Sequence, residues 1–255
     1  MPRRPGYGSL VHTPGFRFRR RVEGYISGYR RVFWQGSTDH RGTPEAPGRT
    51  VTLAPEAGAI TWGVAFELDG TDEEVAQAVQ YLEWREKQYD QRKLVDVRGR
   101  GGELLVAGAL CYIATKSPAN KNWLGPAPLP AIAAQIASSR GPSGPNCNYV
   151  YRLAAVMRDM GVDDKELFDL EGEVRRLVAA AAAAAAAQEE EAAAARRRSL
   201  EGWAAGGGKG GGRGGAVSLD ADARGGGGGG GSMPEAHSEA FARWQQAAAG
   251  APPGA

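Results

Sequence analysis

Hydrophobic and polar positions change period several times along this chain, and the changes mark out its elements. From Val22 to Leu68 the segments RVEGYISGYRRVFW, TVTL and AITWGVAFEL are rich in branched and aromatic residues and broken by Gly and Pro, which is the pattern of strands. RTVTL and AITWGVAFEL are separated by PEAG, which predicts a hairpin turn. The period then becomes helical. Thr71 with Glu74 three residues on is a capping pattern, in which each side chain satisfies a free backbone N–H of the first turn, and it predicts a helix through TDEEVAQAVQYLEWREKQ. RKLVDV and ELLVAGALCYIAT follow as strands with GGE as turn material between them. PAIAAQIASSR, CNYVYRLAAVMRDMG and DDKELFDLEGEVRRLV read as helices, the last extended by alanines of high helix propensity. Strands, one helix, strands and then helices predict an α+β fold, not the regular alternation of a doubly wound sheet.

Composition bounds where that fold can lie. Gly and Ala crowd the last third, while nearly all aromatic and branched apolar residues precede Val178, so only the first part can bury a sizeable core. A folded domain over 1–187 and a flexible, disordered Ala/Gly-rich tail over 188–255 are expected, because stretches such as GGGKGGGRGG cannot repay the entropy of ordering. Within the tail, PEAHSEAFARWQQAAAG is open to a helix docked through Phe241 and Trp244, although such segments are marginal alone. With 31 Lys and Arg against 29 Asp and Glu, no long-range field calls for a nucleic acid or an anionic membrane, and a small polar substrate fits at least as well. The Arg-Gly pieces of the tail are open to an RNA contact, but two basic residues among so many glycines favour a solubilising role. Cys111 and Cys147 cannot make a disulfide framework, MPRRPGYGSL lacks the apolar core of a signal peptide, and the alanine run is too short and too weakly apolar to span a bilayer. A cytosolic location is expected.

One anomaly stands out in the first helix. Val75, Val79, Leu82 and Glu86 are spaced at four, three and four, so a carboxylate continues an apolar stripe. Desolvation there would raise its pKa and leave a base able to hold a proton near neutral pH. The bland alternative is that the stripe ends and Glu86 emerges at the helix terminus, paired with Arg85 or Lys87, and spacing alone favours it. A second feature is Gly6-Tyr7-Gly8-Ser9-Leu10, where two glycines let backbone approach a ligand and successive N–H groups can cradle a carboxylate. It is not a nucleophile elbow, since no glycine stands two positions after Ser9. A triad from Ser9, His12 or His40, and Asp39 has no supporting spacing. The polar loop Trp34–Pro44 carries more hydrogen-bonding groups than a turn requires; Asp39 and His40 make a poor metal pair, and the loop is expected to fix itself and face a ligand. LGPAPL and GPSGPN are rigid turns before helices.

Taken together, GYGSL, YRRVFWQGSTDHRGTPEAPGR, WGVAFEL, YLEWREK, WLGPAPL and SRGPSGPNCNYVYRL, in that order, resemble the ChaC-like, glutathione-specific γ-glutamylcyclotransferases from about Gly6 to Val178. The resemblance implies a compact α+β domain around a small mixed β-barrel, and conversion of glutathione to 5-oxoproline and cysteinylglycine. It implies Glu86, within WREK, as general acid/base, and Gly6, Tyr7, Gly8, Ser9, Leu10 and Val11 as the substrate loop whose amides hold the α-carboxylate of the γ-glutamyl group. It implies Tyr149 in the same pocket. The substrate's own α-amine is the nucleophile, so no metal or organic cofactor is expected, and the protein is expected to be monomeric or weakly associated.

The chain departs from the family pattern at two places. Pro2-Arg3-Arg4-Pro5 replaces the apolar strand that usually runs into GYGSL, and two prolines with two arginines cannot make a central strand. A disrupted first strand is therefore expected, from a misassigned start or a genuine copy with weakened folding and turnover. Gln88-Tyr89-Asp90 replaces the commoner glycine pair, a form associated with plant-like relatives. Rival readings are action on other γ-glutamyl compounds, a regulatory module that binds without turnover, and a tail that itself makes the functional contact.

Overall fold

The computed structural model describes residues 3–205. Two compact units divide the chain after Val178. The first unit is built on a five-stranded antiparallel sheet of order β1-β3-β2-β4-β5, from β1 (Arg3–Gly6), β2 (Phe18–Ser37), β3 (Gly48–Leu68), β4 (Gln91–Arg98) and β5 (Leu104–Ile113). Its helices are α1 (Asp72–Arg85), α2 (Leu129–Ser138), α3 (Asn146–Asp159) and the start of α4 (Lys165–Ala205). The α+β reading therefore holds, with antiparallel ladders and packed helices. The expected mixed barrel is not what the ladders describe: all are antiparallel, and among the described residues none joins the edge strands β1 and β5.

The predicted turn at PEAG is corrected. Ser27 pairs with Ile60 and Tyr29 with Pro55, so β3 runs through this segment and carries it as a bulge against Gly28. Gly28 and Gly58 both take positive φ, 82° and 80°, which lets the two strands bend without parting. The disrupted first strand is corrected too. Arg3 through Gly6 pair with Glu67 through Val64, and because β1 lies at an edge of the sheet, a proline's missing N–H removes no ladder bond that a neighbour on the other side needs. The rule against a central strand and the observed edge strand are consistent.

Helix α1 starts on the predicted capping box: the Glu74 N–H donates to Thr71 Oγ1 at 3.3 Å, and the Thr71 N–H donates to Glu74 Oε2 at 2.7 Å. It stops at Arg85, three residues short of the expected Gln88, with Glu86 as its C-cap at φ −95° and ψ 20°. Val75, Ala78 and Val79 pack against the core and Leu82 is fully buried, so the stripe seats α1 on the core. Helices α2 and α3 pack on β3 and on each other. Phe66, Leu53, Ile136, Leu153 and Met157 are among the largest fully buried side chains.

The small hairpin Arg140–Gly141 with Gly144–Pro145 makes GPSGPN a turn that feeds α3, as expected. The first turns of α4 are held by the buried Glu171, which accepts from Arg158 and from Arg175 Nη2 at 2.8 Å. In the second unit, residues 179–205 are helical, so QEEEAAAARRR, placed in the expected tail, is helix. Alanine propensity explains the continuation without burial. The segment with Phe241 and Trp244 lies outside the described residues. No described helix is long and apolar enough to cross a membrane.

Candidate active site

Where β1 ends, the chain turns sharply through Tyr7 and Gly8 into a single 3-10 turn, Ser9–Val11. Two close approaches require glycine there. A Cβ on Gly6 would stand 2.6 Å from Leu10 Cβ, and one on Gly8 would stand 2.7 Å from Val51 Cγ2 and 2.9 Å from the Tyr149 hydroxyl. The Val11 N–H closes the turn on the Gly8 carbonyl at 3.1 Å, and the His12 and Thr13 N–H groups both donate to the Ser9 carbonyl, at 3.3 and 2.9 Å. Among the described residues the N–H groups of Ser9 and Leu10 have no backbone acceptor, as at the start of any helical turn.

This loop lines a solvent-open recess together with Val51 of β3, Tyr112 of β5, and Glu86 and Tyr89 just past α1. The Glu86 N–H still bonds the Leu82 carbonyl at 2.8 Å, and the Tyr89 N–H bonds the Glu86 carbonyl at 2.9 Å. A tight turn after the helix thus fixes both side chains. Only 12% of the Glu86 side chain is exposed. Its charged neighbour is Arg85, with Nε 3.6 Å from Oε1, and among the described residues no side-chain hydrogen bond reaches the carboxylate. Burial raises the Glu86 pKa above its ordinary value of 4.5, with Arg85 opposing the rise. Glu86 ends the helix and faces Arg85, as the bland alternative has it, and it is nonetheless largely buried where it lines the recess.

The phenols around it stay neutral, because burial pushes the pKa values of Tyr7 and Tyr89 well up. Their protons are committed to backbone carbonyls: Tyr7 donates to Tyr112, and Tyr89 donates to Val51 at 2.8 Å. The oxygens keep lone pairs for a bound donor. Tyr149 stands behind the loop, where its hydroxyl accepts from the Val51 N–H at 3.3 Å. Val11 is buried in the core.

Gly6, Tyr7, Gly8, Ser9, Leu10 and Glu86 are therefore brought together, while Val11 and Tyr149 form the wall beneath them. Tyr89, Val51 and Tyr112 were missed. Tyr89, three residues after Glu86, could have been found from the turn; Val51 and Tyr112 arrive only through strand register.

Ser9 Oγ accepts from Arg85 Nη2 at 2.8 Å, and His12 Nδ1 meets Thr13 Oγ1 at 2.7 Å, so these groups do not form a Ser-His pair. The polar loop after β2 docks on the turn that follows α1: Gln88 Nε2 donates to Thr38 Oγ1 at 3.1 Å, and Lys87 Nζ lies 3.2 Å from Asp39 Oδ2. Among the described residues no group of three His, Cys, Asp or Glu side chains is placed to hold a metal ion.

A sheet feeding a glycine turn beside a buried carboxylate at a helix end defines the class, and sequence comparison gives it a family. Residues 5–177 match the model of the ChaC-like protein family. The chain is 46% identical over 177 residues to γ-glutamylcyclotransferase 2-3 of Arabidopsis thaliana, covering 68% of this chain and 88% of that one. It is also 46% identical over 170 residues to glutathione-specific γ-glutamylcyclotransferase 1 of Danio rerio, covering 65% and 85%. A crystal structure of a γ-glutamylcyclotransferase specific to glutathione from yeast superposes with a TM-score of 0.61 at 26% identity, covering 69% of this chain and 96% of that one. The chain belongs to the ChaC-like family.

Proposed function

We propose that this protein is a glutathione-specific γ-glutamylcyclotransferase in which Glu86 is the general acid/base. The observation that carries the assignment of Glu86 is its position: a buried carboxylate of raised pKa opening on the recess lined by Gly6–Leu10. Ionised Glu86 takes a proton from the substrate's α-ammonium, and the freed amine attacks the γ-carbonyl carbon, closing a five-membered lactam. As the tetrahedral centre collapses, the C–N bond to cysteinylglycine breaks and the Glu86 carboxyl gives its proton to the departing nitrogen; the carboxylate then takes the second proton from the lactam nitrogen and passes it to the same amine, which leaves as an ammonium. 5-Oxoproline and cysteinylglycine leave, and the carboxylate is regenerated.

The Ser9 and Leu10 amides hold the substrate's α-carboxylate. The oxygens of Tyr7 and Tyr89 accept from the ammonium and orient it toward the γ-carbonyl. Tyr149 positions Gly8 and Val51 rather than touching substrate. The reading includes the family's small barrel, supported by the Tyr7 hydroxyl just past β1 bonding the Tyr112 carbonyl of β5. It takes 1–187 as the catalytic domain of a cytosolic, monomeric or weakly associated protein that binds no nucleic acid, with the low-complexity residues 188–255 outside that domain. The paired first strand favours turnover over a binding module without it. Incubating the protein with glutathione, with γ-glutamyl amino acids alongside, tests the reading: 5-oxoproline is expected from glutathione, and a lack of it, or equal release from every γ-glutamyl compound, contradicts it.

A further inference from the structure

Beside the recess the structure gathers positive charge that is only partly neutralised: Arg85 faces Glu86, and among the described residues Arg41 and Arg152 face no acid. His12 follows the glycine loop, and its ring meets the edge of Tyr149 at 6.4 Å with an interplanar angle of 71°. Arg85 anchors the next residues, with Nη1 donating to the carbonyls of Thr13 at 2.7 Å and Pro14 at 3.1 Å. Arg41 is held at the start of α3, where Nη1 donates to the Ser143 carbonyl at 2.6 Å and the Pro145 carbonyl at 3.4 Å. Arg152 stands on α3 three residues after Tyr149, hence on the same helical face. Burial and then Arg152, Arg41 and Arg85 drive the His12 pKa down to about 4, and no acidic group acts on it in return.

The nearby carboxylates are engaged elsewhere, Asp39 with Lys87 and His40 and Glu86 with Arg85, and among the described residues neither Arg41 nor Arg152 has an acidic partner. His12 Nε2 is buried without a hydrogen-bond partner. Two guanidiniums without acidic partners, the half-buried Arg41 and the exposed Arg152, beside a neutral imidazole add nothing to stability, because like charges repel. Such an arrangement suits an anion that arrives with a ligand.

We propose that Arg41 and Arg152, with Arg85 and His12 beside them, form a subsite for the terminal glycine carboxylate of glutathione. This rests on the reading that the γ-glutamyl end occupies the recess, whose lining contains no cation. The substrate carries two carboxylates; the loop amides take the α-carboxylate, and the arginines take the other. Planar guanidiniums match a carboxylate edge to edge, so the pocket distinguishes a peptide ending in a free carboxylate from one ending in an amide.

Calorimetric titration of the full-length Glu86→Gln chain with glutathione and with its glycine C-terminal amide tests the subsite. The acid is expected to bind about tenfold or more tightly than the amide, the scale of a charge-assisted bond. Adding Arg152→Gln or Arg41→Gln should bring the ratio of the two affinities toward one, and Arg152→Lys should restore part of it. Equal binding of acid and amide before any arginine is changed overturns the proposal, as does an arginine variant that weakens both ligands by the same factor. Because the first comparison needs no arginine variant, misfolding of one does not spoil the test. Discrimination without 5-oxoproline formation by the unaltered protein would sink the proposed reaction instead, and 5-oxoproline without discrimination would sink the subsite.

Discussion

Arg85 Nη2 donates to Ser9 Oγ at 2.8 Å, tying the substrate loop to the residue immediately before the buried carboxylate. The same guanidinium caps the Thr13 and Pro14 carbonyls, so one side chain sets the distance between loop and base. Arg85→Ala is expected to lower kcat/KM by about tenfold or more through lost positioning. It should also move the acid limb of the pH profile upward, because the cation that opposes the rise in the Glu86 pKa is gone. An unmoved acid limb would show that Arg85 does not act on Glu86.

Glu86 is a stability liability by the same burial that makes it a base. Its pKa in the folded protein is raised above the ordinary 4.5, so the folded state binds the proton more tightly than the unfolded chain. The associated stability is fully present below pH 4.5 and is lost as pH rises through the raised value. Glu86→Gln should therefore match or exceed the Tm of the unaltered protein at pH 7, with the difference shrinking toward pH 4. A variant markedly less stable at pH 7 would mean that the carboxylate is a structural partner.

Much of this site was legible in the sequence because local chemistry dictates it. The Thr71–Glu74 box fixes the phase of α1, and that phase puts Glu86 in line with Val75, Val79 and Leu82. Spacing could not say whether the line ended in solvent or in a recess, since the answer depends on β1, β3 and β5 closing over it. PEAG misled because turn-forming residues serve a bulge as well as a reversal, and the choice lay in the pairing of β3 with β2 on both sides of it. Pro5 misled in a similar way, since proline excludes a central position and says nothing against an edge. Val51 and Tyr112 lie far from the loop in sequence and meet it only in the assembled sheet.

Gly8 is predicted to be intolerant of a single methyl group. Alanine there would press on Val51 Cγ2 at 2.7 Å and on the Tyr149 hydroxyl at 2.9 Å. Overpacking of this kind costs about 1–3 kcal/mol, and the loop would shift from the base, so Gly8→Ala should lower both Tm and kcat/KM. Normal turnover in a protein of unchanged Tm would refute the close approach.

His12 makes a contribution of opposite sign to that of Glu86. With its pKa depressed from 6.5 to about 4, its stabilising share is present above pH 6.5 and is lost as pH falls toward 4. His12→Asn should flatten the acid-side decline in Tm over that window, measured by thermal denaturation at several pH values. Parallel declines in the two proteins would mean that His12 is not held neutral among the arginines.

The central claim is that a carboxylate at position 86 moves the proton. Glu86→Gln keeps the size and polarity of the side chain and removes its basicity, so binding and reaction can be read apart. Single-turnover incubation with glutathione, monitored for 5-oxoproline alongside calorimetric binding, is expected to show glutathione bound near its normal affinity and lactam formation reduced by at least about a hundredfold, the usual worth of a general base. Lactam formation at an undiminished rate by the glutamine variant would contradict the account.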